Sequence, residues 1–174
     1  MPAVLGIDAA WTATEPTGVA LIRGEGSDWR CVALAPSYDA FVALASGKSV
    51  DWQMTAGGAA PEPGTMLAAA ERLLGDERVA VAAVDMPLAT LPITARRAAD
   101  GAVSRAFSGR GCGTHSPSPE RPGSISTRLA EGFAARGYPL ATAATPPGTA
   151  PRLVEVYPHP ALRCSGRATA SRTR

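Results

Sequence analysis

An uninterrupted apolar run, from Val79 to Val84, constrains the fold of this chain more than any other feature. It follows a segment with helical periodicity and ends at Asp85, directly before Met86 and Pro87. A short continuous run of this kind after a helix is typical of a strand that is buried on both faces of a sheet. The sequence therefore predicts a sheet with helices packed against it.

Three further runs rich in Val, Leu and Ile precede this strand and are predicted to be strands themselves, at residues 3–9, 17–23 and 29–35. The connections between them are short and contain proline and glycine, which favours an antiparallel meander over crossovers. A fifth strand is predicted at residues 152–157.

Apolar residues at three- and four-residue spacing predict four helices, after the cap Ser37 to Ala45, from Pro63 to Leu74, after the cap Thr94 to Phe107, and from Ile125 to Phe133. The third has the most regular apolar stripe. Strands and helices in this order give an α/β fold with a mixed sheet and helices on its faces.

Composition narrows the class of protein further. A chain of 174 residues is expected to form one domain, since domains average roughly 150 residues. It has no apolar run near the ~20 residues that span a bilayer, and Asp8 interrupts the N-terminal run, so we expect a cytoplasmic protein without a membrane partner. The net charge of +2 depends on four arginines in the last twelve residues, so overall charge does not point to nucleic acid.

The acids on predicted strands are the most informative polar residues: Asp8, Asp85 and Glu155. If the first, fourth and fifth strands are neighbours, their carboxylates converge, and such a cluster is unstable without cations. Mg²⁺ prefers oxygen ligands, and carboxylate-bound ions activate water in phosphodiester hydrolysis. Alternatively, these acids only end strands. Glu155 is costly to bury unless it is paired or metal-bound, but on an exposed edge it would face water.

Five motifs in order resemble the DUF429 family over residues 3–162: Gly6–Trp11, Val84–Pro87, Arg96–Asp100, Gly113–Pro122 and Glu155–Pro160. That family is usually described as predicted nucleases of RNase H-like fold. The resemblance implies a sheet of three antiparallel strands followed by two parallel strands. It also places Asp8, Asp85 and Glu155 at the acidic metal-binding positions, for Mg²⁺ or Mn²⁺.

Basic residues near these motifs are candidates for substrate contacts. Five arginines, which could bind phosphates or form a solvated surface, are Arg96, Arg97, Arg105, Arg110 and Arg121. The two histidines, His115 and His159, lie inside matched motifs and are candidates for proton transfer, although His159 between two prolines could instead hold a turn.

The resemblance ends at Leu162, where family members continue with a further helical region. Residues 163–174 are rich in Arg, Ser and Thr and have no apolar periodicity. We therefore expect an RNase H-like domain at residues 1–162, incomplete at its C-terminus, and a disordered basic tail, as in a truncated or frameshifted member. The expected function is a metal-dependent nuclease acting on DNA or RNA. The alternative is a catalytically impaired or non-catalytic protein that binds nucleic acid or a protein partner.

Overall fold

The computed structural model describes residues 1–163 and joins five strands into one sheet. The strands are β1 (Ala3–Asp8), β2 (Gly18–Glu25), β3 (Asp28–Ala35), β4 (Val81–Val84) and β5 (Arg152–Glu155), in the spatial order β3-β2-β1-β4-β5. β1, β2 and β3 pair antiparallel, whereas β4 runs parallel to β1, and β5 runs parallel to β4. The predicted α/β fold, with three antiparallel strands followed by two parallel strands, is confirmed.

The helices are α1 (Tyr38–Ala45), α2 (Pro63–Leu73), α3 (Ala98–Phe107) and α4 (Ser124–Ala134), with a short 3-10 turn at Ser108–Arg110. The Ser37 side chain begins α1 as predicted, because its hydroxyl oxygen accepts a hydrogen bond from the backbone N–H of Ala40 at 3.2 Å. Among the helices at residues 1–163, none combines the length and the apolar character needed to cross a membrane.

The core lies on one face of the sheet, beneath α1, α2 and α4, which pack side by side. Alternate strand residues point into it, as expected for a sheet with one covered face. The largest fully buried side chains include Leu5, Leu21, Phe41, Met66, Leu129, Phe133, Tyr138 and Leu153. Tyr138 also donates its hydroxyl to the carbonyl of Val79 at 2.8 Å, which satisfies a polar group inside this core.

The other face of the sheet is only partly covered, so the expectation that the fourth strand is buried on both faces was wrong. Ala82 and Val84 of β4 are fully buried, but Val81 and Ala83 are half-buried. Leu34 of β3 is 52% exposed on the same open face. The reason is that α1, α2 and α4 share a core with the opposite face, while α3 makes few contacts with the strands.

Two boundaries differ from the prediction. α3 begins at Ala98 rather than after Thr94, because Arg97 is extended (φ −82°, ψ 160°) and its backbone N–H is bound by the Asp100 carboxylate at 3.1 Å. Asp100 is the one buried residue of α3, so the predicted apolar stripe of this helix does not enter the core. β5 ends at Glu155, which places this acid at the strand end rather than in its middle. The tail expected at residues 163–174 lies outside the described residues, except for Arg163.

The hydrogen bond of Tyr138 provides a test of the core. Tyr138→Phe removes the donor and leaves the Val79 carbonyl unpaired in a buried site, so we expect a loss of about 1–2 kcal/mol in the free energy of unfolding. Urea denaturation measures this loss. Tyr157→Phe is the matched control, since the Tyr157 hydroxyl bonds an exposed carbonyl, and its effect should be smaller. Equal losses would contradict the assignment.

Candidate functional site

A pocket of about 470 Å³ lies where β1, β4 and β5 end. These three strands run in the same direction, so their carboxyl ends meet at one edge of the sheet, where ligands bind in open α/β folds. The pocket brings together all three predicted acids, both histidines and two of the five predicted arginines: Asp8, Asp85, Glu155, His115, His159, Arg97 and Arg121.

The strand register separates the three acids into a pair and a single residue. Ile7 pairs with Val84, and Val84 pairs with Glu155, so Asp8 and Asp85 occupy the next position along the sheet. Side chains alternate between faces along a strand, and Glu155 therefore starts from the face opposite to Asp8 and Asp85. In residues 1–163, no group of three or more His, Cys, Asp or Glu side chains is arranged to hold a metal ion.

Asp8 and Asp85 form a pair of like charges. The pKa of Asp85 is raised above its usual value, first by partial burial, then by the negative charge of Asp8, with Glu155 adding to the rise and His159 opposing it. Within the described part of the chain, neither aspartate takes part in an ion pair. The pair thus lacks a permanent countercharge of its own, and a bound cation would relieve the repulsion.

Glu155 has such a countercharge. Arg97 donates from Nη2 to Oε1 of Glu155 at 2.6 Å and from Nη1 to Oε2 at 2.7 Å, a bidentate ion pair. The backbone N–H of Leu88 also donates to Oε2 at 2.8 Å. Both carboxylate oxygens of Glu155 are therefore engaged by the protein.

Arg97 also binds a second carboxylate, that of Asp100. Its Nε and Nη2 donate to Asp100 at 3.0 and 2.8 Å, and its Nη1 donates to the carbonyl of Leu88 at 3.0 Å. A guanidinium has five N–H groups, and every one of them has a partner here. Burial alone would raise the pKa of Asp100, but the hydrogen bonds and charge of Arg97 outweigh it and lower that pKa. Arg97 is consequently occupied in joining α3, the segment after β4 and the end of β5, and has no free donor for a phosphate.

The other predicted arginines have different surroundings. Arg96 donates to the Ser116 hydroxyl at 2.6 Å and to the Thr114 hydroxyl at 3.0 Å, and so holds the loop that carries His115. Arg105 and Arg110 are exposed and lie outside the pocket lining. Arg121 is exposed, lines the pocket, and makes no ion pair within residues 1–163.

Aromatic rings complete the pocket. The rings of His115 and Trp11 meet edge to face with centroids 5.9 Å apart, and those of His159 and Tyr157 are 5.4 Å apart. The sequence prediction did not include Trp11, Tyr157 or Asp100 among the site residues, although all three lie inside the matched motifs. A usable signal existed for Asp100, since an acid three residues after Arg97 is placed to bind the free N–H at the start of a helix.

Comparison with known proteins identifies one family. A family model described as a protein of unknown function, DUF429, matches residues 6–174. The match continues beyond Leu162, where the resemblance between motifs was expected to end. No curated protein and no solved structure gives a significant match to the chain.

The contacts of Arg97 predict its importance for stability. Asp100 is only 5% exposed, and Arg97→Ala leaves its carboxylate without an ion-pair partner, with only the backbone N–H of residue 97 as a donor, so we expect a loss of about 3 kcal/mol in the free energy of unfolding. Arg97→Lys should lose nearly as much, because an ammonium cannot bind two carboxylates side by side. Chemical denaturation measures both. Arg110→Ala is the matched control and should change stability by less than about 0.5 kcal/mol. A similarly small effect of Arg97→Ala would show that the ion pairs of Arg97 do not stabilise the fold.

The raised pKa of Asp85 predicts that removing its charge stabilises the protein, whereas removing the charge of Arg97 destabilises it. A carboxyl whose pKa is higher in the folded state holds its proton more firmly there, so its contribution to stability falls as pH rises through that pKa. In EDTA near neutral pH, Asp85→Asn should therefore stabilise the protein, by about 1 kcal/mol given the partial exposure. Thermal melting between acidic and neutral pH should show the difference shrinking as the pH falls. A variant less stable than the wild type at neutral pH in EDTA would contradict a cost of ionised Asp85 to the fold.

Proposed function

Because this chain belongs to the DUF429 family, to which the motif resemblance attaches a nuclease expectation, we propose that it is a metal-dependent nuclease that hydrolyses phosphodiester bonds of DNA or RNA. The observation that carries the proposal is the pair Asp8 and Asp85, adjacent at the ends of parallel strands, unneutralised, and open to a pocket. An arrangement of two carboxylates with a perturbed pKa in a concave site is a candidate for function rather than for stability.

The donor set fits a hard divalent cation at two of its three expected positions. Asp8 and Asp85 offer carboxylate oxygens, and Mg²⁺ or Mn²⁺ is commonly bound by one or two carboxylates together with water and substrate phosphate. Glu155 does not fit as a direct ligand, because Arg97 and the Leu88 N–H occupy both of its oxygens. When bound, the cation would supply charge for the phosphate oxygens and lower the pKa of water.

The remaining side chains have separate roles in this proposal. His159 lines the pocket and interacts electrostatically with Asp85. It is therefore placed to take a proton from water or to give one to the leaving oxygen. His115 lines the same pocket and is a second candidate for proton transfer. Arg121 supplies a positive charge for a phosphate of the substrate. Glu155 acts through Arg97 and is a positioning residue.

One observation favours the alternative of a non-catalytic protein that binds nucleic acid or a protein partner. With Glu155 held by Arg97, two carboxylates remain for the cation, which is a small ligand set for a hydrolytic site. Such a protein would bind an oligonucleotide or a partner without cutting a strand.

Metal-dependent cleavage separates the two functions. The protein is incubated with labelled single-stranded DNA, duplex DNA, RNA and an RNA–DNA hybrid, with Mg²⁺, Mn²⁺ or EDTA. We expect cleavage only with the cation, and a loss of at least about 100-fold for Asp8→Asn, because a ligand that holds the cation contributes several kcal/mol to the transition state. Asp39→Asn, at an exposed acid in the first turn of α1, is the matched control and should leave cleavage unchanged.

A second readout does not depend on turnover. Mn²⁺ should raise the Tm of the wild type and of Asp39→Asn but not that of Asp8→Asn, since a ligand that binds only the folded state stabilises it. Glu155→Gln should lower the Tm in EDTA but still respond to Mn²⁺. Absence of both cleavage and Mn²⁺ stabilisation in the wild type would overturn the proposed function, and binding without cleavage would support the alternative.

A further inference from the structure

We infer that Trp11 forms the wall of a nucleobase subsite beside Asp8 and Asp85, so that the pocket takes an unstacked nucleotide of a single strand. The inference rests on the proposed function, and it deepens it by naming the substrate class. The proposed ligand is a nucleobase attached to a phosphodiester, which both DNA and RNA contain.

The first support is the position of Trp11 along the chain. It lies three residues after Asp8, so even a fully extended segment places the two Cα atoms within about 10 Å of each other. Both residues line the same pocket. A nucleotide whose phosphate meets the aspartate pair therefore has its base within reach of the indole.

The second support is the concentration of rings. The chain contains nine Phe, Trp and Tyr residues, and two of them, Trp11 and Tyr157, line this one pocket together with both histidines. Trp11 is held by its edge-to-face contact with His115, and Tyr157 by its hydroxyl, which donates to the carbonyl of Gly113 at 3.0 Å. Rings fixed in advance lose little conformational freedom when a base stacks on them.

The third support is the size of the pocket. At about 470 Å³ it has the volume of a small-molecule site and is bounded by residues at the ends of β1 and β5, the segment after β4, the start of α3 and the loop at residues 114–116. Bases in a duplex are stacked on one another and show no free face to a protein ring, whereas a single strand can splay its bases out. Stacking on aromatic rings is also tolerant of sequence, because every base has a π-face.

A purely structural role of Trp11 makes a different prediction. The indole is partly buried and packs against the core, so its removal will affect stability in either case. A structural residue, however, does not distinguish a strand with bases from a strand without them. Comparison of these two ligands therefore isolates the subsite from the packing.

The test measures equilibrium binding by fluorescence anisotropy, in EDTA and at low salt, so that no strand is cut. The probes are a labelled oligothymidylate, the RNA equivalent, an abasic strand with the same phosphates, and a blunt duplex. The wild type should bind the base-bearing single strands about tenfold more tightly than the abasic strand and the duplex, as stacking of one base provides. Trp11→Ala should remove this preference, and Trp11→Phe should keep most of it.

Trp52→Ala, at an exposed tryptophan outside the pocket, is the matched control and should bind like the wild type. Equal affinity of the wild type for the base-bearing and abasic strands, equal affinity for the duplex, or no binding to any probe would overturn the subsite, even if Trp11→Ala does not fold. A base preference that depends on Trp11 without metal-dependent cleavage would refute the proposed hydrolysis and keep the subsite. Metal-dependent cleavage without a base preference would refute the subsite and keep the proposed hydrolysis.

Discussion

The ion-paired contacts of Arg97 hold the candidate site together. The pocket is assembled from elements that are far apart in sequence: the ends of β1 and β5, the segment after β4, the start of α3 and the loop at residues 114–116. Parallel pairing aligns the strand ends, but nothing in a sheet fixes α3, which contributes little to the core. Arg97 fixes it by binding Glu155 on β5 and Asp100 on α3 with one planar group. The position of α3 beside the pocket therefore depends on the guanidinium of Arg97, while Arg96 holds the neighbouring loop.

The same contacts divide the acids of the site into two classes. Glu155 and Asp100 share the positive charge of Arg97 through ion pairs that contribute to stability, and the lowered pKa of Asp100 is the sign of that contribution. Asp8 and Asp85 receive no such compensation, and the raised pKa of Asp85 marks a cost to the fold. Asp8 and Asp85 repel each other in the pocket, although nearby acids have an ion-pair partner. This pattern is expected of residues that contribute to binding rather than to folding.

Local patterns in the sequence were sufficient for the sheet and for the location of the site, but not for the chemistry of each residue. The apolar runs, turns and caps are local signals, and they predicted five strands; the convergence of Asp8, Asp85 and Glu155 was expected only if the first, fourth and fifth strands were neighbours, an order that the structure has. The role of Glu155 depends on Arg97, 58 residues away in sequence, and on a register in which Glu155 aligns with Val84 rather than with Asp85. Neither is visible in a local pattern. The apolar periodicity of α3 misled for a related reason, since periodicity shows which side of a helix is apolar but not whether anything covers it.

Under the proposed function, the two carboxylates left free also determine how a nucleic acid approaches the pocket. A phosphate diester is repelled by Asp8 and Asp85 as long as both are ionised, so the negative backbone alone cannot bring a strand to them. Two sources of attraction remain in the pocket, the positive charge of Arg121 and the faces of the rings, and a cation on the aspartates would add a third. Stacking contacts to the base do not depend on the charge of the phosphate. The attraction between Arg121 and a phosphate does depend on charge, and added salt weakens it. In the proposed function, a strand that enters base first would therefore be held beside the aspartates, and a divalent cation bound there would offset their repulsion of the phosphate. In that arrangement the negative charge of the two acids would admit a phosphate to the reacting end of the pocket only when a cation is bound.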